Sequence, residues 1–235
     1  MQFNEAQIQA IQHNTGPCMV IAGPGSGKTT VLTHRVRYLI ERYGVNPSDI
    51  LVITFTKAAA EQMKLKFKGL SEGRNSAVTF GTFHAVFFTI LKAAYNYSAH
   101  CIIKPQIQHE FVKDQMCRLE LEYDDENEAV AGVLSEISCV KGEDVNIDEY
   151  ESRCIPPQSF RIMYRAYDDM LVRKHLIDFD DMLIQAYQTM KDNKNCLQWL
   201  RNKYRYIQVD EYQDTNYLQR DIIYLLAGEN GNLTV

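Results

Sequence analysis

Ala22-Gly23-Pro24-Gly25-Ser26-Gly27-Lys28-Thr29 follows directly on the apolar run Cys18-Met19-Val20-Ile21. The order strand, glycine-rich turn, Lys-Thr, helix is the layout of a phosphate-binding loop. Glycine lets the backbone curl so that successive N–H groups point at one anion. The helix that follows turns its positive end toward the same anion. In such a loop Lys28 reaches the β- and γ-phosphates of a nucleotide and the Thr29 hydroxyl sits on Mg²⁺. The strict pattern has glycine at position 22, where this chain has Ala22. The plainer alternative is a glycine-rich strand-to-helix turn with an incidental lysine.

Outward from the loop the chain alternates between strand and helix signals. Phe3-Asn4-Glu5-Ala6-Gln7-Ile8 reads as a helix start, with Asn4 as cap, Gln7 closing a capping box and Phe3 stapling onto Ile8. A strand over 17–22 leads into the loop. After it, Val31, Leu32, Arg35, Val36, Leu39 and Ile40 recur at helical spacing, and Gly44 and Pro47 end that helix near Arg42. Ile50-Leu51-Val52-Ile53-Thr54-Phe55 is a continuous apolar run, as expected of a strand buried on both faces. A helix over Lys57 to Gly69 and a strand over Ala77 to Phe80 follow, the latter ending in Gly81-Thr82-Phe83-His84. This alternation predicts an α/β fold with a parallel, doubly wound sheet.

From about 86 to 203 the periodicity is helical. Ile107–Glu120, Glu128–Val140, Ser159–Lys174 and Asp178–Met190 read as amphipathic helices, with Pro156-Pro157 interrupting the stretch. Tyr206-Ile207-Gln208-Val209 resumes the strand pattern and runs into Asp210-Glu211. The expected organisation is a nucleotide-binding domain over 1–88 and 204–235, with an all-helical subdomain over 89–203 inserted in it. Asn232-Leu233-Thr234-Val235 reads as the opening of another strand, so the domain is expected to continue past it.

Composition narrows the class. The 235 residues are 46% hydrophobic, an ordinary soluble globular proportion. No apolar run approaches the ~20 residues that span a bilayer, and the N-terminus lacks the basic-then-apolar order of a signal peptide. A cytoplasmic protein with no membrane partner is expected. Six cysteines, at 18, 101, 117, 139, 154 and 196, show no paired short spacing, so they suggest buried free thiols and neither a zinc nor an iron–sulfur site. The net charge of −5 does not favour a protein that coats nucleic acid. It leaves room for a local basic groove: Lys57, Lys64, Lys66, Lys68 and Arg74 fall close together, while acids concentrate at 120–128 and 143–151. Those lysines read equally as one solvated helix face.

A phosphate-binding loop needs a carboxylate for the metal. Asp210, at the end of the apolar strand, supplies it, since ligands in α/β sheets gather at the carboxyl ends of strands. Asp210 would hold Mg²⁺ through water opposite Thr29, and Glu211 could orient and deprotonate an attacking water. Alone, Asp-Glu is an ordinary acidic turn. Here it is followed by Tyr212-Gln213-Asp214-Thr215-Asn216.

With those residues the chain resembles the N-terminal part of a superfamily-one DNA helicase of the UvrD/Rep/PcrA type. Asp210 to Asn216 resembles that family's second helicase motif and Ala22 to Thr29 its first. Phe3 to Gln7 resembles its Q motif. Thr54-Phe55-Thr56-Lys57-Ala58-Ala59-Ala60-Glu61-Gln62-Met63 is similar to motif Ia, and Gly81 to His84 to motif Ib. The motifs run in order along the whole chain and match least across the helical insert. The fold implied is the first RecA-like domain of a P-loop NTPase carrying that insert.

The resemblance implies that Gln7 reads the adenine edge and that Gly23, Pro24, Gly25, Ser26 and Gly27 cradle ATP with Ala22, Lys28, Thr29 and Thr30. It implies Phe55 as a platform for a DNA base, and Thr56, Lys57, Thr82 and His84 as contacts to the sugar-phosphate backbone. Each has a plainer role: Gln7 in the capping box, Phe55 and His84 in packing, Thr82 as a helix cap. Gln213 would sense the γ-phosphate or couple it to DNA. Two departures stand out. Lys57-Ala58 replace the Asn-Lys that relatives often carry in motif Ia, and Thr30 replaces an arginine after the loop threonine. Asp178-Phe179-Asp180-Asp181 resembles an acidic-aromatic segment found before the second motif and reads as a helix cap with an acidic first turn.

The function implied is the ATP-binding portion of a 3′-to-5′ helicase that translocates on single-stranded DNA and unwinds partly duplex DNA in repair, recombination or replication. Its cofactors would be ATP and Mg²⁺. The family has a second RecA-like domain in cis, with two arginines for the γ-phosphate, and none of its sequence is present here. The chain alone should therefore bind ATP weakly and hydrolyse it poorly. The rivals are the helicase part of a helicase-nuclease recombination enzyme, a P-loop protein that uses ATP as a switch without translocating, and a P-loop small-molecule kinase.

Overall fold

In the computed structural model, residues 3–23, 25–71, 77–143, 145–229 and 231–235 are described. They form two compact units. One comprises 1–86, 189–215 and 219–235, and the other 87–188 with 216–218.

The first unit is built on a four-stranded parallel sheet. Its strands are β1 (Ile50–Thr54), β2 (Thr79–Thr82), β3 (Tyr206–Val209) and β4 (Asn232–Thr234), in the order β2-β1-β3-β4. Register pairs Thr54 with Thr82 and Ile53 with Val209, so the carboxyl ends of β2, β1 and β3 come level. The Asp210 N–H extends the ladder onto the Ile53 carbonyl at 2.9 Å. All five residues of β1 are buried, as a parallel sheet covered on both faces requires.

The expected strand over 17–22 is reduced to a single bridge, Cys18 to Thr234. Its hydrogen bonds do continue, from Cys18 N to the Leu233 carbonyl at 2.8 Å and from Val20 N to the Val235 carbonyl at 2.7 Å. The partner strand β4 is three residues long, so the ladder beside it is equally short.

Helix α1 (Glu5–Gln12) begins with the capping box read from the sequence. Asn4 Oδ1 accepts from Gln7 N at 2.8 Å, and Gln7 Oε1 accepts from Asn4 N at 3.0 Å. The ring of Phe3 stands edge-on to His34, 4.8 Å between centroids. Helix α2 (Lys28–Tyr43) starts at the loop and stops at Gly44, whose φ of 66° gives the left-handed turn that ends helices. Leu32, Val36 and Leu39 pack on Ile50 and Val52 of β1 together with Met63 and Phe67 of α3 (Lys57–Leu70). Arg35 sits in the stripe that periodicity marks apolar, and it is 1% exposed. Its guanidinium donates to the carbonyls of Ala10, at 3.1 Å, and His13, which satisfies the end of α1.

Helix α4 (Phe83–Tyr95) leaves β2. The second unit then packs α5 (Pro105–Arg118), α6 (Glu126–Gly142) and α7 (Pro157–Lys174) around Val112, Met116, Val133, Ile137, Phe160, Met163 and Tyr167. Helix α8 (Phe179–Asp192) opens as read: Asp178 Oδ1 accepts from Asp181 N at 2.8 Å. The same acids also hold a cation that the sequence reading did not pair with them. The Lys141 ammonium, on a side chain 3% exposed, lies 3.0, 2.9 and 2.7 Å from carboxylates of Asp168, Asp178 and Asp181. Burial and the neighbouring Asp178 charge push the Asp181 carboxyl up to about 6, against the pull of Lys141. Burial would lower the Lys141 ammonium, but the three carboxylates outweigh it and raise it.

Helices α9 (Lys194–Lys203) and α10 (Tyr217–Ala227) complete the chain. Helix α9 groups with the sheet. All six cysteines are free as expected, but none is buried: Cys117, Cys139 and Cys154 are exposed and the others half-buried. Among the described residues no helix is long and apolar enough to cross a membrane.

Candidate functional site

The loop that enters α2 has the backbone its glycines allow. Gly25 and Gly27 have φ of 74° and 85°, the left-handed region that other residues adopt only with strain. Gly27 caps α2 without a side chain, and its carbonyl accepts from Thr30 N and Val31 N, both at 2.9 Å. Gln7 reaches across from α1 and donates through Nε2 to the Ser26 carbonyl at 3.0 Å. Its carboxamide therefore serves the capping box with one atom and the loop with the other. Pro24 lies outside the described residues.

The loop lysine meets the acidic turn after β3. Lys28 Nζ donates to Glu211 Oε2 at 3.2 Å, joining residues 183 positions apart. A cleft of about 340 Å³ opens at this pair. Its polar end is formed by Lys28, Asp210, Glu211 and Gln213, and its apolar wall by residues such as Val20, Val31 and Val209. Ala22 also lines it. Gly23, Gly25, Ser26, Gly27, Thr29 and Thr30 belong to the loop and the first turn of α2 but not to this wall.

Glu211 has φ 52° and ψ 42°, a left-handed backbone on a non-glycine residue. Such strain persists where the surroundings over-determine it, and it concentrates at functional sites. Here the constraints are visible. A short 3₁₀ turn, Tyr212–Asp214, begins immediately after it. The Thr215 hydroxyl donates back to the Tyr212 carbonyl at 2.7 Å, and Gln213 Nε2 donates to Glu211 Oε2 at 2.7 Å. The Tyr212 hydroxyl donates to that of Tyr224 on α10 at 2.7 Å.

The pKa values of the two acids are shifted in opposite directions. The Gln213 hydrogen bond, then the one from Lys28, pulls the Glu211 carboxyl below the usual range, so it is anionic near neutrality. Burial, then the Glu211 charge, pushes the Asp210 carboxyl up, while Lys28 and Lys66 oppose that. A buried carboxylate that resists ionisation gains most from a bound cation.

No group of three or more His, Cys, Asp or Glu side chains that could hold a metal occurs among the described residues. An ion at Asp210 would have one or two protein oxygens and take the rest of its ligands from phosphate and water. That is the binding mode of Mg²⁺, and the hard oxygen donors fit it.

The residues read as DNA contacts lie at the same carboxyl edge, at or just beyond the ends of β1 and β2. Phe55 follows β1, half-buried, with its ring edge-on to Phe83 at 5.9 Å. Thr56 caps α3, its Oγ1 accepting from Ala59 N at 3.1 Å, and Thr82 caps α4 in the same way at 3.2 Å from Ala85 N. The plainer roles weighed for Phe55 and Thr82 are thus filled. Lys57 is exposed, 3.9 Å from Glu61. His84 is half-buried. Lys64, Lys66 and Lys68 are exposed along α3, and Arg74 lies outside the described residues.

Residues 3–235 match the model of the UvrD/REP helicase N-terminal domain. The chain is 32% identical over 245 residues to the ATP-dependent DNA helicase PcrA of Staphylococcus epidermidis, across 99% of this chain and 32% of that protein. It is 32% identical over 241 residues to a probable DNA helicase II homolog of Mycoplasma capricolum, across 99% of the chain and 33% of the relative. To PcrA of Staphylococcus aureus it is 31% identical over 242 residues, with 99% and 32% covered. The chain thus spans about a third of the length of these relatives. With the loop lysine, the acidic turn and the parallel sheet already placing the first and second motifs together, the chain belongs to the family of the UvrD/REP helicase N-terminal domain.

Proposed function

We propose that this chain is the ATP-binding portion of an ATP-dependent DNA helicase, cytoplasmic, moving 3′ to 5′ on single-stranded DNA. The observation that carries the proposal is the Lys28–Glu211 contact at 3.2 Å. It joins the phosphate lysine of the first motif to the acid of the second across most of the chain. A protein that held nucleotide only through its loop would have no need of an anionic side chain at that point.

Lys28 exchanges its Glu211 contact for the β- and γ-phosphates when ATP enters the cleft. The exchange releases the Glu211 carboxylate, still held by Gln213, to take a proton from the attacking water. Thr29 and Asp210 would hold Mg²⁺, which would supply neutralisation of phosphate charge. Gln7, fixed to the Ser26 carbonyl, places the loop relative to the base. Phe55 offers a stacking face, a contact worth about 1–3 kcal/mol per base and indifferent to sequence. Thr56, Lys57, Thr82 and His84 follow the backbone from the ends of β1 and β2. Because both groups of residues sit on one sheet edge, closure of a second domain over that edge would couple ATP turnover to DNA movement.

The test is ATP hydrolysis by the full-length protein with and without single-stranded DNA. The reading expects stimulation of at least about tenfold. An unchanged rate would favour an ATP switch with no translocation.

A further inference from the structure

A buried carboxamide stands two residues before Asp210. Gln208 lies in β3 between β1 and β4, with Val52 and Thr234 as register partners. It is 1% exposed, and neither Oε1 nor Nε2 finds a hydrogen-bond partner among the described residues. Alternate strand residues share a face, which puts Gln208 in line with Tyr206 and Asp210. Tyr206 and the register partner Val52 belong to the apolar layer that Leu32 and Val36 of α2 cover. The amide therefore stands next to that layer, and the two residues that follow it, Val209 and Asp210, line the cleft. An apolar side chain of equal length would sit there without leaving polar atoms unpaired. A buried polar group held without a partner in the fold itself calls for a functional explanation.

We infer that Gln208 is a positioning residue for Asp210, its Nε2 donating to the Asp210 carboxylate when Mg²⁺ and nucleotide are bound. Residues two apart on a strand are separated by about 6.6 Å. A glutamine side chain spans that gap directly or through one shared water. Carboxylates that ligate metals are in turn held by hydrogen bonds from a further layer of side chains. Gln208 is the buried side chain on the same strand and face with a free donor to give. Asp210 itself is 8% exposed, so its carboxylate draws on the protein for its hydrogen bonds, the Glu211 backbone N–H among them. The inference rests on reading the cleft as a nucleotide site.

The experiment compares full-length wild type with Gln208→Met, a swap of similar length and volume, using a fluorescent ATP analogue. Mg²⁺ is titrated at fixed analogue, and binding is repeated in EDTA. The thermal midpoint is measured without nucleotide. The expected result has three parts. The Mg²⁺ concentration at half-maximal binding rises at least about tenfold in the variant. Affinity in EDTA is unchanged, and the midpoint without nucleotide equals or exceeds that of wild type. A rise of less than tenfold overturns the inference. So does a lowered midpoint, which would mean that the amide is already paired in the fold. If wild type shows no Mg²⁺-dependent binding, it is the nucleotide reading of the cleft that fails.

Discussion

Lys28 and Glu211 are each only partly shielded, with side chains 29% and 42% exposed, so their attraction adds little to stability. Its value is positional: it marks where two distant motifs meet. Lys28→Ala should leave the fold intact and weaken binding of a fluorescent ATP analogue at least about tenfold, since a charge-assisted contact to phosphate is worth about 1.5–3 kcal/mol. Equal affinity would place the phosphates elsewhere. Arg35 is a residue of the opposite kind, important to the fold and remote from chemistry. Arg35→Met should lower unfolding free energy in urea by about 2–4 kcal/mol, because the half-buried carbonyls of Ala10 and His13 lose their donor. A change below about 1 kcal/mol would show that water replaces the guanidinium.

Those two residues also show how legibility divides. The meeting of Lys28 with the acidic turn at Asp210 and Glu211 was legible because a phosphate-binding loop and its acidic partner take particular residue types in a fixed local order. Arg35 was not, because helical periodicity records a position and not the carbonyls that another helix brings to it. Gln208 was hidden for a related reason: within Tyr206 to Val209 it reads as one polar residue in an apolar strand, and its isolation appears only when both neighbouring strands are in place.

At the scale of elements, the helices were legible to within about two residues wherever an apolar stripe or a cap marked them. The segment at 17–22 was not, since a strand's extent depends on its partner, and β4 offers three residues. Helix α9 has the same periodicity whichever unit it joins, so sequence could not assign it. The Lys141 cluster joins α6, α7 and the start of α8, and it carries a pH dependence. Asp181 titrates near 6 in the fold and near 3.9 when unfolded. The folded state thus holds the extra proton between about pH 4 and pH 6, and this group's contribution to stability falls as pH rises through that window. Lys141 is raised above its unfolded value of about 10.4, so its contribution is complete below that and is lost only as pH rises through the folded value. Lys141→Met should therefore cost about 3–5 kcal/mol at pH 7 by leaving carboxylates buried and unpaired. The deficit should shrink at pH 5, where Asp181 takes up a proton. A urea titration at both pH values reads this directly, and a deficit independent of pH would contradict it.

At the scale of the whole molecule, the two motif sets share one carboxyl edge of the sheet: the residues proposed for ATP lie on the loop and just after β3, and those proposed for DNA at the ends of β1 and β2. The chain spans about a third of its relatives' length, and under the proposed function two phosphate-sensing arginines would come from a second domain. Arginines of that kind are worth about 10³–10⁵ in rate. The 235-residue chain alone should accordingly hydrolyse ATP at least about 10³-fold more slowly than the full-length protein. A matching rate in a coupled phosphate-release assay would mean that the catalytic set is complete within these residues.

Under the proposed function, a lysine and an acid 183 residues apart act on one triphosphate. Single-turnover hydrolysis by full-length wild type and Glu211→Gln, with nucleotide binding measured in parallel, tests it most directly. The account predicts binding within about threefold of wild type and a hydrolysis rate lowered at least about 100-fold, the usual contribution of a positioned general base. A variant that binds normally and hydrolyses ATP at the wild-type rate would contradict it.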